Sequence, residues 1–194
     1  MSLQNETIQQ LLTDLGIDNA HETAPLRQLA ASESRFLKDL KLNISSVLGG
    51  NNIDRKHSLL LALSVAANEK HALLTEAFRS LALKEGATEA DIAETFACVS
   101  VMAANNILYR FRHFMHEVPF YNNAPAGMRM STMMNPVLGK EFFELMSLAL
   151  SAVNGCERCV TAHERSVKEH GASEARIFDA IRLASVIRSI CVVI

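Results

Sequence analysis

An all-α fold is what this sequence predicts, and three observations carry the expectation. Apolar residues recur at a spacing near 3.6 almost everywhere along the chain. The long run over residues 57–78 is rich in Ala and Leu and poor in β-branched residues, a strong helix-forming composition. No alternation of strand and helix patterns is present, and no glycine-rich phosphate loop follows a strand-like segment.

The elements follow in order. Leu3, Ile8, Leu11 and Leu12 give residues 3–12 the pattern of a short helix. Leu26, Leu29, Phe36, Leu37 and Leu40 extend a helical pattern over residues 26–42, with Pro25 well placed at its start. Gly49-Gly50-Asn51-Asn52 is a turn, and Asp54 precedes the run from His57 to Phe78, read as one helical stretch. Gly86 breaks the next element. Thr88 and Asp91 then resemble a capping box, with Asp in place of the usual Glu. The helix they open places Ile92, Phe96, Val99, Ala103 and Ile107 on one face. Residues 117–140 differ: Pro119, Pro125, Pro136, Gly127, Gly139 and three Asn make a long connection with little regular structure. Met128, Met130, Met133 and Met134 lie in it and are read as adaptable filler against the helices or a neighbouring subunit. A metal–thioether site there has no nearby Cys or His to support it.

The chain repeats itself. GATEADI at 86–92 matches GASEARI at 171–177 at five of seven positions, an offset of 85. The same offset lays Leu145 on Leu60 and Leu148 on Leu63, so residues 56–107 resemble residues 141–192. We expect one domain over residues 1–194 that contains two helical units, approximately 56–110 and 141–194, related by a pseudo-two-fold axis. The offset also exposes an asymmetry. Cys156 falls on His71, Cys159 on Leu74, His163 on Phe78 and Glu144 on Leu59, so the reactive groups sit in the second unit alone.

Composition narrows the function. With 19 Lys plus Arg against 21 Asp plus Glu, the formal charge is −2, which excludes a strongly basic nucleic-acid binder and a polybasic membrane tail. Hydrophobic residues at 49% and charged residues at 21% argue against disorder. Four cysteines, unevenly placed, do not make a secreted cystine framework. No uninterrupted apolar run reaches membrane-spanning length, and MSLQNETIQQL does not have the pattern of a signal peptide. The expectation is a soluble, cytoplasmic protein without membrane or nucleic-acid partners, in which a CxxC pair serves redox chemistry or a metal rather than structure.

The segment that carries chemistry is Asn154-Gly155-Cys156-Glu157-Arg158-Cys159-Val160-Thr161-Ala162-His163. A structural zinc site wants four ligands, and Cys98 and Cys191 are isolated on apolar helical faces, where they read as small hydrophobes. No second CxxC and no HxxxH completes a set, so no metal is expected. The redox reading has physical support. Gly155 ends the helix over 141–153, and the next helix starts around the CxxC. A thiol in that first turn sees unpaired N–H groups and the positive end of the helix dipole, and Arg158 adds a nearby charge. His163 lies one turn beyond Cys159 on the same side, placed as its general base or ion-pair partner. Glu144, on an otherwise apolar helix, returns beside His163 if the two helices pack antiparallel; the bland reading is a solvated boundary acid. First-turn dipole and exposure favour Cys156 as the attacking sulfur, whereas the His163 spacing favours Cys159. We place the attack on substrate at Cys159, with Cys156 facing the reductant. The other histidines, His21, His57, His71, His113 and His116, have no partnered spacing.

These residues carry a resemblance. Glu144, the run from Ser147 to Cys156, Cys159 and Ala162-His163-Glu164 resemble the alkyl hydroperoxide reductase D (AhpD) group of the carboxymuconolactone-decarboxylase-like superfamily. Pro125-Ala126-Gly127-Met128-Arg129-Met130 and Asn135-Pro136 resemble its AhpD branch. The resemblance implies an all-helical subunit in a homotrimer, hexameric in some relatives. It implies thiol-dependent reduction of organic and hydrogen peroxides without a bound cofactor, and a role as disulfide reductant for an AhpC-like peroxiredoxin, recharged by a lipoyl-bearing protein. It makes Glu144 and His163 a proton relay, Cys159 the sulfur coupled to it and Cys156 its disulfide partner. One departure matters: family members often read Cys-Gly-His-Cys, and here Arg158 holds the position of that histidine, so any proton shuttling by it is lost while a purely electrostatic part survives. A disulfide carrier with little peroxidase activity of its own, and a helical module whose CxxC only senses redox state, are the competing readings. The lactone decarboxylation in the superfamily's name has no evident use for a dithiol.

Overall fold

The structure, a computed structural model, describes the backbone of residues 3–194 and side chains from Glu6 onward. Its described residues form ten α-helices and two short 3-10 turns, without strands. The side chain of Leu3 lies outside the described residues; Ile8, Leu11 and Leu12 of the expected first helix are buried on α1 (Leu3–Asp14). The pattern over residues 26–42 divides into α2 (Ala24–Ala31) and α3 (Phe36–Leu48). Glu33, at φ 52, turns the chain between them, a local bend that apolar spacing does not record.

The run from His57 to Phe78 is likewise two helices, α4 (Arg55–Asn68) and α5 (Ala72–Lys84), separated at Lys70, whose φ is 59. α6 (Glu89–Phe114) opens on the capping box: Thr88 Oγ1 accepts from Asp91 N at 3.1 Å, and Asp91 Oδ2 accepts from Thr88 N at 2.9 Å. The long connection contains α7 (Pro119–Asn123) and the 3-10 turn Ser131–Met133, and the rest of it is irregular. α8 (Lys140–Val153), α9 (Glu157–Glu169) and α10 (Glu174–Ile190) complete the chain. Adding 85 to the first and last residues of α4 and α5 gives those of α8 and α9, and Glu89 at the start of α6 lands on Glu174 at the start of α10. Lys70 at φ 59 corresponds to Gly155 at φ 68, and Gly86 at φ 86 to Gly171 at φ 98.

α4 and α8 are the central helices. Every residue from Ser58 to Ala66 and from Phe142 to Ser151 is buried, as expected for helices apolar on all sides. They lie against one another and are enclosed by α5, α6, α9 and α10. Their hydroxyls are turned back onto the helix: Ser64 Oγ donates to Leu61 O at 2.7 Å, and Ser147 Oγ to Phe143 O at 2.8 Å.

α6 corrects the sequence reading. Of its expected face only Ile92 is fully buried; Phe96, Ala103 and Ile107 are exposed. The side turned to the core instead carries Thr95, Cys98, Met102, Asn105 and Asn106. The rotation has a physical cause: Glu94 and Asn106 have hydrogen-bond partners on the inner side, and the more apolar stripe is left outside. α6 is also the one described helix long and apolar enough, by length and composition, to cross a membrane, at a mean hydropathy of 1.2. Its buried polar side chains mark it as a core helix of this bundle.

Candidate active site

The turn between α8 and α9 aims the two cysteines. Gly155 at φ 68 lies in the left-handed region and ends α8, so that Cys156 becomes the N-cap of α9. An amide network fixes this turn from behind. Asn154 Nδ2 donates to Asn106 Oδ1 at 2.9 Å and to Asn68 Oδ1 at 3.1 Å, Asn68 Nδ2 returns a bond to Asn154 Oδ1 at 3.0 Å, and Arg110 Nη1 donates to Asn154 O at 2.7 Å. Asn106 Nδ2 in turn donates to Ser151 Oγ at 2.9 Å. The turn is thereby tied to both α4 and α6.

Cys156 and Cys159 form a disulfide, with Cα atoms 5.3 Å apart. Cys156 makes no side-chain cap bond, whereas His71, its counterpart at the offset of 85, caps α5 by accepting from Leu74 N at 3.2 Å. The first-turn N–H groups of α9 are thus not taken up by a capping side chain, the condition under which a helix start stabilises a thiolate. The expected exposure of Cys156, and with it the placing of Cys156 toward the reductant, is corrected. Cys156 is fully buried at 0% exposure and Cys159 is 5% exposed, and it is Cys159 that reaches a cavity. Cys156 lies within the turn held by the Asn154 network, while Cys159 stands three residues further along α9 at the cavity.

α8 and α9 bring Glu144 and His163 together. His163 Nδ1–H donates to Glu144 Oε2 at 2.6 Å, and Lys140 Nζ lies 2.9 Å from Oε1. Glu144 is only 3% exposed. Burial works against its ionisation, but the hydrogen bonds from His163 and Lys140 and their charges outweigh it and hold the carboxyl down at about 2. With Nδ1 committed to a permanent carboxylate, the tautomer of the neutral ring is set and Nε2 is left as the basic nitrogen.

Cys159 and His163 share a cavity of about 230 Å³ with Asn105, Tyr109, Met130, Met133, Arg158 and Ala162. Arg158 sits on its wall with the guanidinium carbon 5.8 Å from the centre of the Tyr109 ring. The connection is drawn over the site by two anchors. Glu94 accepts from Val137 N at 2.6 Å and Leu138 N at 2.5 Å, and Lys140 Nζ donates to Met133 O at 2.7 Å. Of the four loop methionines, Met130 and Met133 line the cavity and Met134 is exposed.

Sequence reasoning missed Lys140, Asn105 and Tyr109. The Lys140–Glu144 spacing of four on one helix was a readable signal for the first. A polar pair, Asn105-Asn106, in the middle of an apolar helix was one for the second. It also left the histidines unpartnered, and four have partners, among them His116, whose Nδ1 lies 3.1 Å from His113 O. His57 Nδ1 lies 2.5 Å from Asp54 Oδ2 and its ring stacks on Phe142, His71 caps α5, and His113 Nε2 is 3.4 Å from Glu157 Oε2. Cys98, 3.5 Å from Ser147 Oγ, has its thiol pushed up to about 12 by burial, and Cys191 is pushed up to about 11 for the same reason. Neither is a nucleophile at neutral pH. Among the described residues no group of three or more His, Cys, Asp or Glu is arranged to hold a metal ion.

The chain is similar in sequence to known proteins. Residues 119–192 match the carboxymuconolactone decarboxylase family. A protein of Anaeromyxobacter dehalogenans (strain 2CP-C) named alkyl hydroperoxide reductase AhpD is 38% identical over 155 residues, 80% of this chain and 82% of its own. Proteins of the same name from Bradyrhizobium sp. (strain BTAi1) and Methylobacterium sp. (strain 4-46) are 37% and 38% identical, over 87% and 86% of this chain and 92% and 94% of theirs.

Proposed function

Since the chain belongs to the alkyl hydroperoxide reductase AhpD family and is on that footing an oxidoreductase, we propose that it reduces organic and hydrogen peroxides with the Cys156–Cys159 dithiol and a Glu144–His163 proton relay. The observation that carries the reading is the shared cavity: a redox-competent disulfide, reached at Cys159, beside an imidazole oriented by a buried carboxylate. In the reduced enzyme His163 Nε2 takes the proton of Cys159. The thiolate attacks the terminal peroxide oxygen, the O–O bond breaks, and the alkoxide leaves with the proton from His163 as alcohol or water. Cys159 is then a sulfenic acid. Cys156 attacks its sulfur, water leaves, and the disulfide forms. An external dithiol restores both thiols by exchange, so that one dithiol and one hydroperoxide become one disulfide, one alcohol and one water.

The same cavity bears on the donor. Cys159 is 5% exposed and lines a cavity of about 230 Å³, so a slender dithiol arm such as a lipoyl group suits it better than a thiol on a folded protein surface. An AhpC-like peroxiredoxin is the expected redox partner on the other side of the exchange. We also read the chain as one domain with duplicated three-helix units and as a homotrimer, whose contact surface includes the outer stripe of α6. The deciding experiment is peroxide turnover with dihydrolipoamide as donor, with and without an AhpC-like peroxiredoxin. Stoichiometric peroxide should remove the Cys156 and Cys159 thiols under denaturing conditions. Loss confined to Cys98 or Cys191 would sink the proposal. Negligible turnover alone, with rapid reduction of an oxidised peroxiredoxin, would move the function to a disulfide carrier.

A further inference from the structure

The cavity holds one polar group that the relay does not use. Asn105 on α6 is 5% exposed, and its Oδ1 has no hydrogen-bond partner. Its Nδ2 donates at 2.9 Å only to the thioether of Met130, a weak acceptor. Buried amides are nearly always satisfied, and an unsatisfied one calls for an explanation. Asn106, the next residue, shows the ordinary state: both of its amide atoms have partners in the turn network. Asn105 instead is a lining residue of the cavity it shares with Cys159 and His163, with Met130 beside its amide.

We propose that Asn105 is the peroxide-binding residue of the site, an inference that rests on the peroxidase reading above. A hydroperoxide offers what this amide lacks. Its terminal O–H donates to Asn105 Oδ1, and its inner oxygen, the one bonded to carbon, accepts from Nδ2 in place of the Met130 sulfur. The two contacts present the terminal oxygen to Cys159 with the inner oxygen as leaving group. As the O–O bond breaks, negative charge develops on the inner oxygen, where the Nδ2–H donor stabilises it until His163 delivers the proton taken from Cys159. The terminal hydrogen stays with its oxygen in the sulfenic acid. A disulfide has no O–H to give Oδ1, so the contact serves the peroxide half-reaction and not thiol–disulfide exchange.

That asymmetry is the test. Reduced wild type, Asn105→Leu and Asn105→Ala are mixed with tert-butyl hydroperoxide, and disulfide formation is followed by thiol loss. The oxidised proteins are separately reduced with dithiothreitol. Peroxide-driven oxidation should fall about 10- to 100-fold in both variants, while reduction stays within about 2-fold of wild type. An unchanged oxidation rate, or equal losses in both half-reactions, overturns the assignment. A wild type that does not oxidise overturns the peroxidase reading itself, whereas a reactive wild type with reactive variants removes Asn105 alone. A second measurement keeps Asn105 in place. In Cys159→Ser, tert-butyl hydroperoxide should shift the Asn105 side-chain amide signals in an NMR titration, and signals that stay fixed overturn the proposal.

Discussion

Glu144 is a carboxylate at every pH at which a thiol enzyme works, because the hydrogen bonds of His163 and Lys140 hold it at about 2. An acidic limb in the rate profile therefore does not belong to Glu144. If the relay operates, Glu144→Gln and His163→Gln each lower turnover about 10²- to 10⁴-fold, and the double variant loses far less than the product of the two. Steady-state kinetics over pH 6–9 checks this, with partial recovery of His163→Gln at alkaline pH as the free thiol ionises near 8.5. The same carboxylate bears on stability. A carboxyl lowered from 4.5 to about 2 on folding contributes about 3 kcal/mol at neutral pH. Because the folded value is the lower one, that contribution is complete above about pH 5 and is lost as pH falls toward 2. Urea denaturation at pH 7 and pH 3 should show Glu144→Gln with the smaller acid loss.

At the scale of elements, the turn between α8 and α9 sets the site. Gly155 adopts φ 68, and a Cβ added there meets nothing within 4 Å, so a side chain costs only backbone strain. Gly155→Ala should lose about 1–2 kcal/mol and Gly155→Asn less, since Asn tolerates the left-handed region; chemical denaturation reads the difference. Lys70 at φ 59, the corresponding position between α4 and α5, shows that the fold carries a side chain in this conformation. The offset of 85 in the sequence already placed Lys70 under Gly155. Applied to turns as well as to reactive groups, it would have divided the run over 57–78. Apolar periodicity did not, because a three-residue turn leaves the spacing of Leu and Ala on either side nearly in phase.

For the whole molecule, the outer face of α6 is the open question of assembly. Ile107 and Phe114 are each 65% exposed, and Phe96 and Phe111 on the same helix are exposed as well. This apolar stripe, on a helix that otherwise belongs to the core, is the surface we propose for the subunit contact. Ile107→Glu combined with Phe114→Glu should shift sedimentation equilibrium from the proposed trimer toward monomer while helical content is kept. A wild type that sediments as monomer at micromolar concentration removes the assembly proposal.

What the sequence determined by itself is what depends on local spacing: the helical class, the capping box at Thr88, the end of α8 at Gly155, and Cys159 and His163 one turn apart on α9. Glu144 stood out because an acid on a helix apolar all round must find a partner or remain costly to bury, and the crossing of α8 and α9 puts that partner 2.6 Å away. Tertiary structure decided the rest, because burial and cavities are made by several elements at once. It turned Cys156 inward and Cys159 toward the cavity, brought Lys140 and Glu94 to pin the connection, and rotated α6 so that Asn105 lines that cavity with its Oδ1 unpaired. No spacing rule along one helix reports which of its faces a second helix and a loop will close into a pocket; only the shape formed between them does.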